Sequence, residues 1–174
     1  PSQLQYLYAS WYDLLRSDLS ASQGMSVMGV LNVWFHIDID KSIVAGIGLV
    51  FLLLPLLKVK AYKEDLFRIF FFSGMMIWMI IFNHKAESPT FIIAVSGIAL
   101  WYFSQKANWQ IRTLLIIAFI FTCLAPTDIF PPFIRQQIFQ PYLVKAIPCI
   151  LIWIVIEYQL LSGKYEPRKI NTQT

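Results

Sequence analysis

Within "IIFNHKAESPTFII", residues 80–93, three ionisable side chains, His84, Lys85 and Glu87, fall within four positions between two hydrophobic runs. A histidine can donate or transfer a proton near neutral pH, and a lysine supplies a compact positive charge. Beside them Ser88-Pro89 reads as a helix start, with Ser88 at the N-cap and Pro89 at the first helical position, where its missing N–H costs nothing. Glu87 then lies next to the positive end of that helix. Local structure thus accounts for Ser88, Pro89 and Glu87. It does not account for His84-Lys85, because a cation pair between apolar segments must be solvated or partnered. A phosphate would suit the pair, since the free N–H groups of a helix N-terminus also favour an anion. The rival is an ordinary interfacial loop, and the residue types leave the two open.

Other polar residues are weighed the same way. Arg135 and Lys145 fall on the same side of the expected topology and could add to an anion site, although snorkelling at a helix end accounts for Lys145 equally well. Asp38 and Asp40 in "FHIDIDK" form a carboxylate pair with no spacing that makes a catalytic dyad, and they read as a solvated turn. Asp128 in "APTDIF" is expected to cap the stretch before Phe130, and Glu157 to sit at a solvated boundary. The two cysteines, Cys123 and Cys149, lie inside apolar runs and read as small core residues. No Cys/His spacing of a zinc site is present, so neither a metal nor a cofactor is expected.

The elements that would position these residues are unusually apolar. Of the 174 residues, 57% are hydrophobic, 16% aromatic and only 14% charged, and mean hydropathy is +0.60. A typical globular domain is nearer a quarter charged, so the balance points to a bilayer. The net charge of +4 carries no basic run interleaved with aromatics, and nucleic acid is not an expected partner. Five apolar runs, roughly 42–59, 66–82, 89–103, 113–125 and 142–161, predict a five-helix transmembrane bundle over 42–161. "IVAGIGLVFLLLPLL" and "AIPCILIWIVI" show no polar face, while the runs at 89–103 and 113–125 are short and must borrow flanking residues or be shielded by neighbours.

Lys and Arg number nine in the loops at 58–68 and 104–112 and in the tail, against three on the other side (Lys85, Arg135, Lys145). That bias sets a cytoplasmic tail at 162–174 and places residues 1–41, 83–88 and 126–141 outside. In "QLQYLYASWYDLLRSDLS", Leu4, Leu7, Tyr8, Trp11, Leu14 and Leu15 fall at helical spacing and predict an amphipathic helix lying on the membrane; "MSVMGVLNVWF" predicts a second. The expectation is an all-α, polytopic membrane protein. The chain starts at Pro1 within an amphipathic pattern and reads as the C-terminal part of a longer one.

The combination "FNHKAESPTFIIAV", preceded by "YASWYDLLRSDLSASQGMSVMGVL" and followed by "PYLVKAIPCILIWI", resembles the C-terminal half of a family 87 glycosyltransferase of the GT-C type, over most of residues 6–160. The resemblance implies a bacterial inner-membrane enzyme that moves a hexose, mannose-like, from a polyprenyl-phosphate donor to a glycolipid or glycan acceptor on the outer side. His84, Lys85 and Arg135 would hold the donor phosphate. Ser22, Gln23 and Ser26 of the "SQGMS" turn, with Glu87 and Ser88, would contact sugar or phosphate. The family's general base is an upstream Asp, so no catalytic residue is expected here. Half of a membrane transporter is the rival reading from another class; the apolar runs carry few polar residues near their middles, only Ser73, Ser96 and Thr122. A non-catalytic membrane subunit is the third.

Overall fold

The computed structural model describes residues 2–16 and 24–167 of the chain. It is all-helical: α1 (Ser2–Arg16), α2 (Val27–Phe35), α3 (Lys41–Leu53), α4 (Asp65–Ile81), α5 (Phe91–Ser104), α6 (Trp109–Ala118), the short α7 (Pro132–Ile134) and α8 (Ala146–Ser162). α6 continues as a π-helical turn, Phe119–Leu124, and α7 as another, Arg135–Phe139. Caps fall where local chemistry demands them. Ser26 Oγ accepts from the Gly29 N–H at 3.3 Å, Asn108 Oδ1 from Ile111 at 2.9 Å, and Asp40 Oδ1 from Ser42 at 2.8 Å. The bond from the Ser42 N–H also holds the Asp40 carboxyl below its ordinary range.

The five apolar runs do fall on α3, α4, α5, α6 and α8, but the expected five-span membrane bundle is not what forms. Among the described residues no helix is long and apolar enough to cross a membrane. The longest of the five, α4 and α8, have 17 residues each, where a span takes about 20. Physical punctuation cuts the runs short. Pro55 cannot donate to the α ladder, so α3 stops at Leu53 and passes into the 3₁₀ turn Leu54–Leu57. At the other end of the chain, Leu143 takes a left-handed φ of 51° and delays α8 to Ala146, and Gly163, at φ 70°, terminates it. The polytopic topology, the inner-membrane location and the cytoplasmic tail built on five spans are therefore corrected; the all-α class stands.

The core lies where α4 is packed between α5 and α8. Phe67, Phe70, Ile77 and Ile81 of α4 meet Ala94, Ile98 and Trp101 of α5 and Cys149, Ile152, Ile156 and Leu160 of α8, all buried. Two adjacent positions let α4 approach both neighbours. On α5, a Cβ at Gly97 would come within 2.8 Å of the Ser73 carbonyl oxygen, so only glycine fits without a shift. Gly74 faces α8, where a Cβ would stand 3.3 Å from Glu157 Oε1 and from Ile156 Cγ2. The hydrophobic excess of the composition lies outside this core: Ile47 and Val50 of α3, Ile92 of α5 and Ile154 of α8 face outward, as do Leu4, Leu7 and Tyr8 of α1.

A candidate anion site at the α5 and α8 N-termini

Two of the singled-out segments come together. Gly24 adopts φ +55° and sits against the chain at His84, whose carbonyl oxygen would lie 2.2 Å from any Cβ added there. A glycine is needed on both counts. The contact presses the turn before α2 onto the loop that precedes α5. Ser26, fully buried, is spent on capping α2. Ser22 and Gln23 lie outside the described residues.

In the loop itself, Lys85 is exposed, His84 is half-buried, and the Lys85 N–H donates to Asn83 Oδ1 at 2.9 Å. Ser88 is not the N-cap of α5. Residues Ser88–Thr90 form a 3₁₀ turn with Pro89 inside it and exposed Glu87 at its cap position, and α5 starts at Phe91. The Ser88 hydroxyl is used elsewhere. Lys145 Nζ donates to Ser88 Oγ and to the Ser88 carbonyl oxygen, each at 2.7 Å, and lies 4.9 Å from the centroid of the Phe91 ring. Lys145 is only 9% exposed, and burial pulls its pKa down. Among the described residues its hydrogen-bond acceptors are both on neutral Ser88, and no carboxylate pairs with it.

Its backbone is held as well. Lys145 is the N-cap residue of α8, and its carbonyl accepts from Thr122 Oγ1 at 3.1 Å. A lysine at a helix N-terminus opposes the helix dipole, and a buried ammonium opposes desolvation; an anion would relieve both.

Arg135 completes the arrangement. Its Nη1 donates to Asp128 Oδ1 at 2.7 Å and approaches the Pro126 carbonyl at 3.4 Å, so Asp128 pairs with Arg135 rather than capping the stretch before Phe130. Arg135 and Lys145 both line a cavity of about 280 Å³, with Ser88, Gln136 and Gln140 among its other walls. A more open cleft of about 640 Å³ adjoins it, sharing Met25, Ser88 and Leu143 and carrying Asn32, Asp38 and Glu87. Neither His84 nor Lys85 lines either space. Of the two cysteines expected in the core, Cys149 is fully buried there, its thiol pushed up to about 12 by desolvation, whereas Cys123 is only half-buried.

Lys145 is the residue that sequence reasoning left undecided. The available signal was its place three residues before Pro148 at the head of an apolar run, next to no acidic residue. No family model, curated protein or solved structure matches this chain.

Proposed function

We propose that this chain binds the phosphate of a lipid-linked sugar and belongs to a glycosyltransferase that takes a hexose from a polyprenyl-phosphate donor, as the resemblance to family 87 implies. The observation that carries the reading is Lys145: a largely buried lysine whose ammonium, among the described residues, bonds only to Ser88 and which shares a cavity with Arg135. A phosphate there would meet both cations, and the guanidinium suits its paired oxygens.

The surroundings suit the rest of such a donor. Ile129, Phe133 and Ile138, exposed on the segment that carries Arg135, offer apolar surface to a prenyl chain. The adjoining cleft, with Asn32, Asp38 and Glu87, offers hydrogen-bonding groups to sugar hydroxyls. In the transfer, the acceptor hydroxyl attacks the anomeric carbon, the bond to the phosphate oxygen breaks, and that oxygen departs with the electron pair. The acceptor proton passes to a base, which the resemblance assigns to an upstream Asp. Lys145 and Arg135 would stabilise the charge that grows on the leaving phosphate.

The test is calorimetric titration with a short-chain prenyl phosphomannose, a diester carrying one charge across neutral pH. Removing one charge-assisted partner should weaken binding about tenfold or more, so Lys145→Met is expected to lose at least that and Arg135→Gln somewhat less. Exposed Lys85→Ala should lose less than either. Wild-type affinity in Lys145→Met would overturn the proposal.

A further inference from the structure

On α8, twelve residues beyond Lys145, Glu157 is 5% exposed, and neither of its carboxyl oxygens has a hydrogen-bond partner among the described residues. An ionised carboxylate in that position would be a buried charge with nothing to balance it. The sequence expectation of a solvated boundary is wrong for this residue.

Its neighbourhood is organised in the same way. Trp153, one turn earlier on α8, and Trp78, one turn after Gly74 on α4, bury indole N–H groups that also lack partners. An aromatic string joins them: Trp78 stacks on Phe82 at 5.7 Å, and Phe82 meets Trp153 edge-on at 5.2 Å. Gly74, with no side chain, leaves Glu157 Oε1 its room in the α4–α8 seam.

Among the described residues no charged side chain of the surrounding elements pairs with it. α4 carries Asp65 and Arg68, which pair with each other at its exposed first turn. α5 carries only Tyr102, α6 only Arg112, and the π-helical turn after it only Cys123; α2 and the 3₁₀ turn at Leu54–Leu57 carry no titratable group. Lys58, which caps that turn, gives its ammonium to the Leu161 carbonyl of α8 and not to the Glu157 carboxyl. Burial alone pushes the Glu157 pKa up, to about 8.

We infer that Glu157 is a proton-binding site built into the α4–α8 seam, held as the neutral acid in the closed bundle, and that loss of its proton loosens α8 from α4. The direction follows from linkage. The folded chain keeps this proton up to about pH 8, whereas the unfolded chain releases it near the ordinary carboxyl value of 4.5. Between those values the folded state binds more protons, so stability is highest at the acid end of the window, falls as pH rises through it, and levels off above about 8. The inference is independent of the anion site.

The experiment compares the wild-type chain with Glu157→Gln, a near-isosteric stand-in for the protonated acid, by thermal melting and tryptophan emission from pH 5.5 to 9. Contributions from Lys145 and from the other titrating groups are common to both proteins and cancel in the comparison. Wild type should melt at falling temperature as pH rises, with its emission shifting to the red as water reaches Trp153. Glu157→Gln should keep only the pH dependence of the shared groups, without the red shift, and at pH 9 should melt higher than wild type by at least about 5 °C, given some 2–4 °C per kcal/mol for a chain of this size. Identical pH profiles in the two proteins, or a Glu157→Gln that melts below wild type at pH 9, would overturn the inference.

Discussion

Gln159 and Glu157 stand two positions apart on α8, and two steps of an α-helix turn a side chain through about 200°. They face different neighbours and meet opposite fates. Gln159 looks toward α5: its Oε1 accepts from Trp101 Nε1 at 2.7 Å, and its Nε2 donates to Gln105 Oε1 at 2.9 Å. Gln105 in turn donates to the Trp101 carbonyl at 3.3 Å, which closes the circuit. Every member is buried, and the indole and amide groups find mates. Glu157 looks toward α4 and finds none. A closed polar circuit in a core fixes one alignment of two helices, because any slip orphans several groups at once. An open set of polar groups stores free energy, which a proton, a water or a partner can release. One face of α8 is therefore built for a single register, and the other for a change of state.

The contrast is broken most directly by Gln159→Leu. The apolar replacement keeps volume but leaves the Trp101 N–H and the Gln105 carbonyl oxygen unpaired in the core. At roughly 1–3 kcal/mol for each orphaned group, the loss should be about 2–4 kcal/mol in urea unfolding. Gln105→Leu combined with it should cost less than the sum of the two single changes, because the groups act as one unit. A loss below about 1 kcal/mol, or strict additivity, would show that the circuit does not fix the α5–α8 alignment.

How much of this was legible in the residues differs between fold and site. Apolar periodicity and run length marked α3, α4, α5, α6 and α8, and the spacing of Leu4, Leu7 and Tyr8 marked α1. Membrane crossing was the misreading. Apolar character continues around these helices, as outward-facing Ile47, Val50, Ile92 and Ile154 show, but none of the five exceeds 17 residues, with Pro55 ending α3 and Leu143 and Gly163 bounding α8. Composition reports total hydrophobicity and is blind to where a backbone turns. At the site, of the three residues named for a phosphate only Arg135 lines the cavity, joined there by Ser88, which was named for substrate, while His84 and Lys85 lie outside it. Lys145 could not be separated from a snorkelling lysine, because its partner Ser88 lies 57 positions away and only tertiary packing joins them. Glu157 was misplaced for the same reason: the α4 face that buries it carries no sequence mark except a glycine.

The next test compares the two sides of α4 through their glycines. At Gly97 of α5, an added methyl would press on the Ser73 carbonyl at 2.8 Å, a backbone atom that cannot move without dragging α4. Gly97→Ala should therefore cost about 1–3 kcal/mol for overpacking, less up to about 1 kcal/mol regained from helix propensity. At Gly74 the methyl would meet only side-chain atoms at 3.3 Å, the mobile Glu157 Oε1 and Ile156 Cγ2. There the propensity gain should nearly cancel the strain, leaving a change within about 0.5 kcal/mol. Equal losses at both sites in chemical denaturation would mean that the α4–α8 seam is as tight as the α4–α5 one, which would remove the slack that Glu157 requires.

The smallest expected effect is the sharpest in sign. Ser73 lies on α4 directly before Gly74, is fully buried, and its hydroxyl has no partner among the described residues. Within a satisfied circuit, deleting a polar group orphans its mates. In a set without mates, deletion removes only the penalty of an unmade hydrogen bond and exchanges serine for a better helix former. Ser73→Ala should accordingly raise stability by about 0.5 kcal/mol, the reverse of Gln159→Leu. Precise urea midpoints at unchanged slope would read a gain of that size. A loss instead would mean that the Ser73 hydroxyl is already bonded, and the α4 side would then be as closed as the α5 side.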